Sequence, residues 1–197
     1  MEERRAVNTS NKKKKKGVSR MSSESIDTYW KDFDFEGFWK VSDYAKANYE
    51  GGRFGSSDVA RIEKELGYKL PLSYLSFMKK QNGGIPLKDG CRTETPTSWS
   101  ENSVAIEGFL NIGITGSNAL LGNFGSRFWI EEWGYPDIGI AICDCPSAGH
   151  DMIFLDYKVY GSKDVPAVVH VDQEMDYKIT FLAKDFESFV RMLEEEE

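Results

Sequence analysis

The order of apolar patterns along the 197-residue chain predicts a single-domain α+β fold with antiparallel strands. Three observations carry this. Apolar residues recur at helical spacing between about 38 and 80, the period changes to two from about residue 100, and helical spacing returns at 186–193. Helices, then a run of strands, then a helix differ from the strand–helix alternation of a wound parallel sheet. The length suits one domain of the usual ~100–200 residues. With aromatics at 13%, the chain has the rings that a wholly disordered chain lacks.

Residues 1–28 hold Lys, Ser, Asn and Arg with almost nothing apolar. They are read as a disordered basic tail preceding a domain at 29–197. The run Lys12 to Lys16 is read as solvated, or as an upstream extension if translation starts at Met21. RNA, anionic lipid or an import receptor are what such a run would otherwise bind. Aromatics become dense at Tyr29–Trp39. Segment 38–49 reads as a short helix ending at Gly51-Gly52. Ser56 or Ser57 caps the next helix by accepting a backbone N–H, Val59, Ile62 and Leu66 form its stripe, and Gly67 ends it in a left-handed turn. Pro71 opens a third helix, where its missing N–H costs nothing. Leu72, Leu75 and Met78 face inward there beside Tyr74 and Phe77, and Asn82-Gly83-Gly84 stops it.

In the strand region Ile138, Ile140 and Ile142 alternate with Gly139, Ala141 and Cys143, as for a strand with one face buried and the other closely covered. Segment 150–157 is apolar on both faces in its middle, like a central strand. Segments 166–172 and 176–182 read as a hairpin, with Tyr177, Ile179 and Phe181 on one face and Lys178 and Thr180 on the other. Phe186, Phe189, Val190 and Leu193 give the closing helix. Glu194–Glu197 oppose the negative end of its dipole, so fraying is expected there.

Charge divides the chain. Residues 1–20 hold eight Lys and Arg against Glu2 and Glu3, a balance of +6, while residues 21–197 hold 17 against 30 acids, a balance of −13. An acidic body repels nucleic acid and anionic membrane and attracts basic partners. Three Cys cannot form a fully paired disulfide set. No apolar run approaches the ~20 residues of a membrane span, and the first 20 residues lack the apolar core of a secretory signal. A soluble, cytoplasmic protein is expected.

The phosphate-loop, dinucleotide, serine-hydrolase and zinc-protease signatures are absent. Gly113, Gly116, Gly122 and Gly125 read as turn glycines. Cys143-Asp144-Cys145 with His150 would be a minimal zinc set, but free cysteines more often act as small hydrophobes, and neither metal nor cofactor is expected. His150, Asp151 and His170, near Glu174 and Asp176, could serve acid–base chemistry. With two histidines and no evident nucleophile they are read as structural, and the chain as no enzyme. The densest constellation is 128–137 (FWIEEWGYPD), which joins large rings to acids. Rings supply hot-spot energy and acids steer basic partners. Trp129, Glu131, Glu132, Trp133, Tyr135 and Asp144 are therefore the candidate partner-binding residues, with some of the rings expected in the core.

Several blocks occur together: 62–71 (IEKELGYKLP) followed by Ser73-Tyr74, 81–84 (QNGG), 132–136 (EWGYP), 146–151 (PSAGHD), 155–157 (LDY) and 169–174 (VHVDQE). In this order and spacing the chain, over roughly 39–193, resembles the SUKH superfamily, which includes the yeast Smi/Knr-type cell-wall regulators and many bacterial proteins. The resemblance implies a mixed, largely antiparallel sheet flanked by helices, and no catalysis. It implies a protein-binding role. The leading expectation is an immunity protein that neutralises a cognate toxin, often a nuclease; the alternative is a regulatory signalling scaffold of the yeast type. No family motif marks partner contacts, so no binding residue is carried over.

Overall fold

The computed structural model describes residues 29–195, and the tail expected at 1–28 lies outside them. Three helices come first: α1 (Asp43–Asn48), α2 (Ser56–Leu66) and α3 (Leu72–Lys80). Then follow β1 (Gly90–Arg92), β2 (Ser103–Ala105), β3 (Gly108–Phe109), α4 (Ser126–Glu131), β4 (Gly139–Asp144), β5 (Asp151–Asp156), β6 (Ala167–Asp172), β7 (Lys178–Ala183) and α5 (Phe186–Met192). Strands β3-β4-β5-β6-β7 make one sheet in that order, and β1-β2 a second. Every strand pairing is antiparallel. The parallel component is confined to the isolated bridge Asn111–Ala119 among the described residues.

Period-two alternation builds a core on each side of the large sheet. Ile140, Ile142, Ile153, Leu155, Val168 and Leu182 point into the larger core, which Ile62 of α2, Tyr74 and Phe77 of α3, and Phe186 and Phe189 of α5 complete. Ala141, Met152, Phe154, Val169 and Val171 point the other way, against Trp129 and Tyr135. β5 is central and buried along its whole length, as its apolar middle predicts. A helical segment on each side of a sheet removes most apolar surface from water, at ~25 cal/mol per Å².

Local chemistry departs from the sequence reading in several places. Helix α1 is only six residues long and capped by Ser42, whose hydroxyl accepts from the Ala45 N–H at 3.0 Å. Phe38 and Trp39 lie before it and are buried in the larger core. Helix α2 is capped not by Ser56 or Ser57 but from within: the Asp58 carboxylate accepts the Gly55 N–H at 2.7 Å. Gly67 ends it at φ +80° as expected. Leu72 is 46% exposed rather than inward, since it opens the first turn of α3 on the solvent side. Phe181, expected beside Tyr177 and Ile179, is exposed against Tyr160, with a register shift at Val168/Val169 opposite it. Glu194 does not fray. It exchanges two backbone hydrogen bonds with Gly90, at 2.8 and 3.0 Å, and pairs with Arg92. Residues 196–197 lie outside the described chain.

Two of the short sequence blocks become hydrogen-bond devices. Asn82 binds three backbone groups, donating to Gly52 and Ile112 and accepting from Ile112. Beside it Gly83 sits at φ +84°, and a Cβ there would lie 2.4 Å from the Tyr49 carbonyl. Asp156, fully buried, accepts four backbone N–H groups from Lys158 to Gly161 and so shapes the turn after β5. A buried carboxylate is tolerated when its lone pairs are satisfied in this way.

Candidate protein-interaction surface

Helix α4 is pinned to the sheet by Ser126, whose hydroxyl accepts the Ala141 N–H at 2.9 Å. Trp133 lies just past the end of α4, and the Trp129 and Trp133 rings meet at 5.2 Å in an edge-on pair. Their fates differ. Trp129 is buried, its indole N–H donating to the Phe124 carbonyl at 2.8 Å. Tyr135 is buried too; it stacks on Phe154 and donates to the Gly149 carbonyl at 2.6 Å. These two candidates are therefore core residues of the second layer and offer no exposed contact. Their burial follows from position: the sheet face under α4 presents Ala141 and Phe154, which only large rings can cover.

Trp133 is half-buried and stays at the surface. Its ring meets the His150 imidazole edge-on at 5.9 Å, and His150 Nδ1 lies 2.6 Å from the Glu174 carboxylate. The Tyr177 hydroxyl donates to the Trp133 carbonyl, which fixes the turn that follows α4. Glu131 and Glu132 are exposed on the same turn, Glu131 pairing with Arg127 at 3.1 Å. Trp133, His150 and Glu174 thus meet from three separate segments, with the exposed Glu132 next to Trp133 in the chain. The sequence reading takes His150 as structural and sets Glu174 near His170, and places neither on this surface. The missing signal is tertiary: the 3₁₀ turn Gln173–Met175 reaches His150 through the Gln173 N–H, which donates to the His150 carbonyl at 2.9 Å.

Asp144 does not join this face. It turns toward Tyr49, whose hydroxyl donates to it at 2.8 Å. Burial, together with the charge of Glu107, raises its carboxyl to about 7, while the Tyr49 hydrogen bond opposes the rise. The sign follows from linkage. The folded state holds this proton across pH 4–7 while the unfolded state has released it, so stability falls as pH rises through that window. Asp144→Asn should therefore flatten the loss between about pH 4 and 7. At pH 8 it should raise the melting temperature by a few degrees, about 1 kcal/mol; thermal melts at pH 5 and pH 8 check this, and an equal effect at both contradicts the assignment.

The histidines separate. His150 is at the surface, whereas His170 is fully buried with Nε2 at 2.7 Å from Asp151. The sequence grouping of Cys143, Cys145 and His150 is replaced: Cys145 lies with Asp151 and His170 instead. All three cysteines are free thiols. No described helix is long and apolar enough to cross a membrane.

No curated protein matches the chain. A family model described as SMI1-KNR4 cell-wall matches residues 56–190, from the start of α2 into α5. That span holds the whole of the large sheet, the QNGG turn and the Trp133 surface. It covers more than two thirds of the chain, and with the order of its short blocks it identifies the protein as a member of the SMI1-KNR4 family of SUKH domains.

Proposed function

We propose that the chain is a non-catalytic binding protein of the immunity type, which associates with a basic toxin and blocks it. The observation that carries this reading is the surface around Trp133, a half-buried ring that follows the exposed Glu131 and Glu132 and meets His150, the partner of Glu174, on a body of balance −13. A nuclease toxin must bind phosphates and so carries a basic cleft. Acids bordering a ring suit that cleft: charge raises the encounter rate, and the ring supplies desolvated contact. The family membership supports a protein-binding role, and the immunity reading extends the resemblance of its bacterial members to this chain. The protein would act in the cytoplasm, where its three thiols stay reduced.

The test is co-expression. This reading expects a large secreted protein encoded beside this gene; its toxic domain should arrest growth, and this chain should restore growth and co-purify with that domain. Association should slow steeply as salt rises. Failure to bind the neighbouring gene product, with stable co-purification of the host's own signalling proteins instead, would favour a regulatory scaffold.

A further inference from the structure

We propose that Cys145, Asp151 and His170 form a binding site for a divalent zinc-type ion inside the domain. Cys145 follows β4 directly, Asp151 opens β5 and His170 lies in β6. Their sulfur, oxygen and nitrogen ligand atoms all lie within 4.8 Å of one another. Each residue is buried, to 3% exposure or less. Thiolate, imidazole and carboxylate together are a donor set that zinc accepts, with a fourth position for water.

Two further observations point to a cation. Asp151 Oδ1 is buried and has no hydrogen-bond partner, although an orphaned polar atom in an interior is costly. Asp151 also stands directly opposite Asp172 across β5 and β6. Asp172 is satisfied by the Ser98 N–H and hydroxyl at 2.8–2.9 Å, but Asp151 has no such backbone donor on its side chain. Buried carboxylates facing each other across a strand pair repel, and a dication bound to Asp151 offsets that field. A cleft of about 220 Å³, lined by Trp99, Ser103, Ser147 and Asp151, meets the site at Asp151.

Binding is balanced by proton release. The Cys145 S–H bond breaks and its proton leaves to solvent as the sulfur–metal bond forms. One imidazole nitrogen donates its lone pair while the other keeps the ring proton. One Asp151 oxygen supplies the third bond. Affinity therefore rises with pH. The site shares the sheet face of Ile153 and Val168, whereas Trp133 packs on the other face, and it does not depend on the toxin reading.

The test uses the full chain, stripped with a chelator and titrated with cobalt(II) and then zinc(II). The expected result is one equivalent bound, a thiolate-to-cobalt charge-transfer band in the near ultraviolet, tetrahedral ligand-field bands in the visible, and bleaching by zinc. Zinc should also raise the melting temperature by several degrees. Cys145→Ser should abolish the charge-transfer band, while Cys91→Ser retains it, and Asp151→Asn should weaken binding by at least about ten-fold. Should Cys145→Ser fail to fold, zinc X-ray absorption of the wild-type chain decides: one sulfur among nitrogen and oxygen supports the site. No band in the folded wild-type protein, or a sulfur count other than one, overturns it.

Discussion

Asp151→Ala destabilises the metal-free protein by about 3–5 kcal/mol, enough to unfold a marginal domain. A carboxylate only accepts, so the His170 Nε2–H is the donor in the 2.7 Å contact with Asp151. His170 is fully buried and Asp151 nearly so. Removing the carboxylate leaves an imidazole N–H with no partner and no water, and that desolvation loss is larger than the net worth of the pair. His170→Ala leaves Asp151 facing Asp172 with its main donor gone, and should cost a similar amount. The double variant Asp151→Leu with His170→Leu should recover much of the loss, because removing both partners leaves nothing unsatisfied. Urea unfolding measures all three. A single-variant loss below about 1 kcal/mol would show that water reaches this pair.

At the surface, Trp133→Ala should speed dissociation from the toxin about 30-fold, corresponding to ~2 kcal/mol for a hot-spot ring. Trp133 is half-buried, and its ring meets His150, which pairs with Glu174. Exchanging Glu131 and Glu132 together for Lys should instead slow association, about ten-fold or more at low salt and much less at high salt, because exposed charges act through long-range steering. Trp129→Ala, four residues away, should behave differently. Its ring is buried and its indole N–H is bonded to Phe124, so the loss should be in stability, about 3–5 kcal/mol. Surface-based kinetics and thermal melts on the same three proteins separate the effects. Unchanged rates after Trp133→Ala and the double charge reversal, in folded protein, would move the interface elsewhere.

Trp129 and Trp133 show how far the sequence reads. Their spacing suggests two rings pinning one loop or helical turn; the rings do meet, although Trp133 lies just past the end of α4. Which ring is core depends on what the sheet presents beneath, and that face joins Ala141 of β4 to Phe154 of β5 and Val169 of β6. Tyr135 was drawn into the candidate surface by its acidic neighbours. Its hydroxyl instead reaches the Gly149 carbonyl, a contact that closes only when the turn before β5 folds back. Asp144 sits among apolar strand residues, with nothing local to announce Tyr49 as its partner 95 positions away.

By itself the sequence determined the α+β class, the helix that ends at Gly67, the central β5, the β6–β7 hairpin and the family. These rest on period, turn chemistry and block order, which act over a few residues or along the chain. Tertiary structure alone decided which rings are anchors and which are core, that Asp58 rather than a serine caps α2, and that His150 joins Trp133 and Glu174 while His170 joins Asp151 and Cys145. The physical reason is that burial and partner choice belong to pairs of segments. Antiparallel pairing sets Asp151 against Asp172 and His170 against Ile153, and a register shift by one residue would reverse every one of those faces.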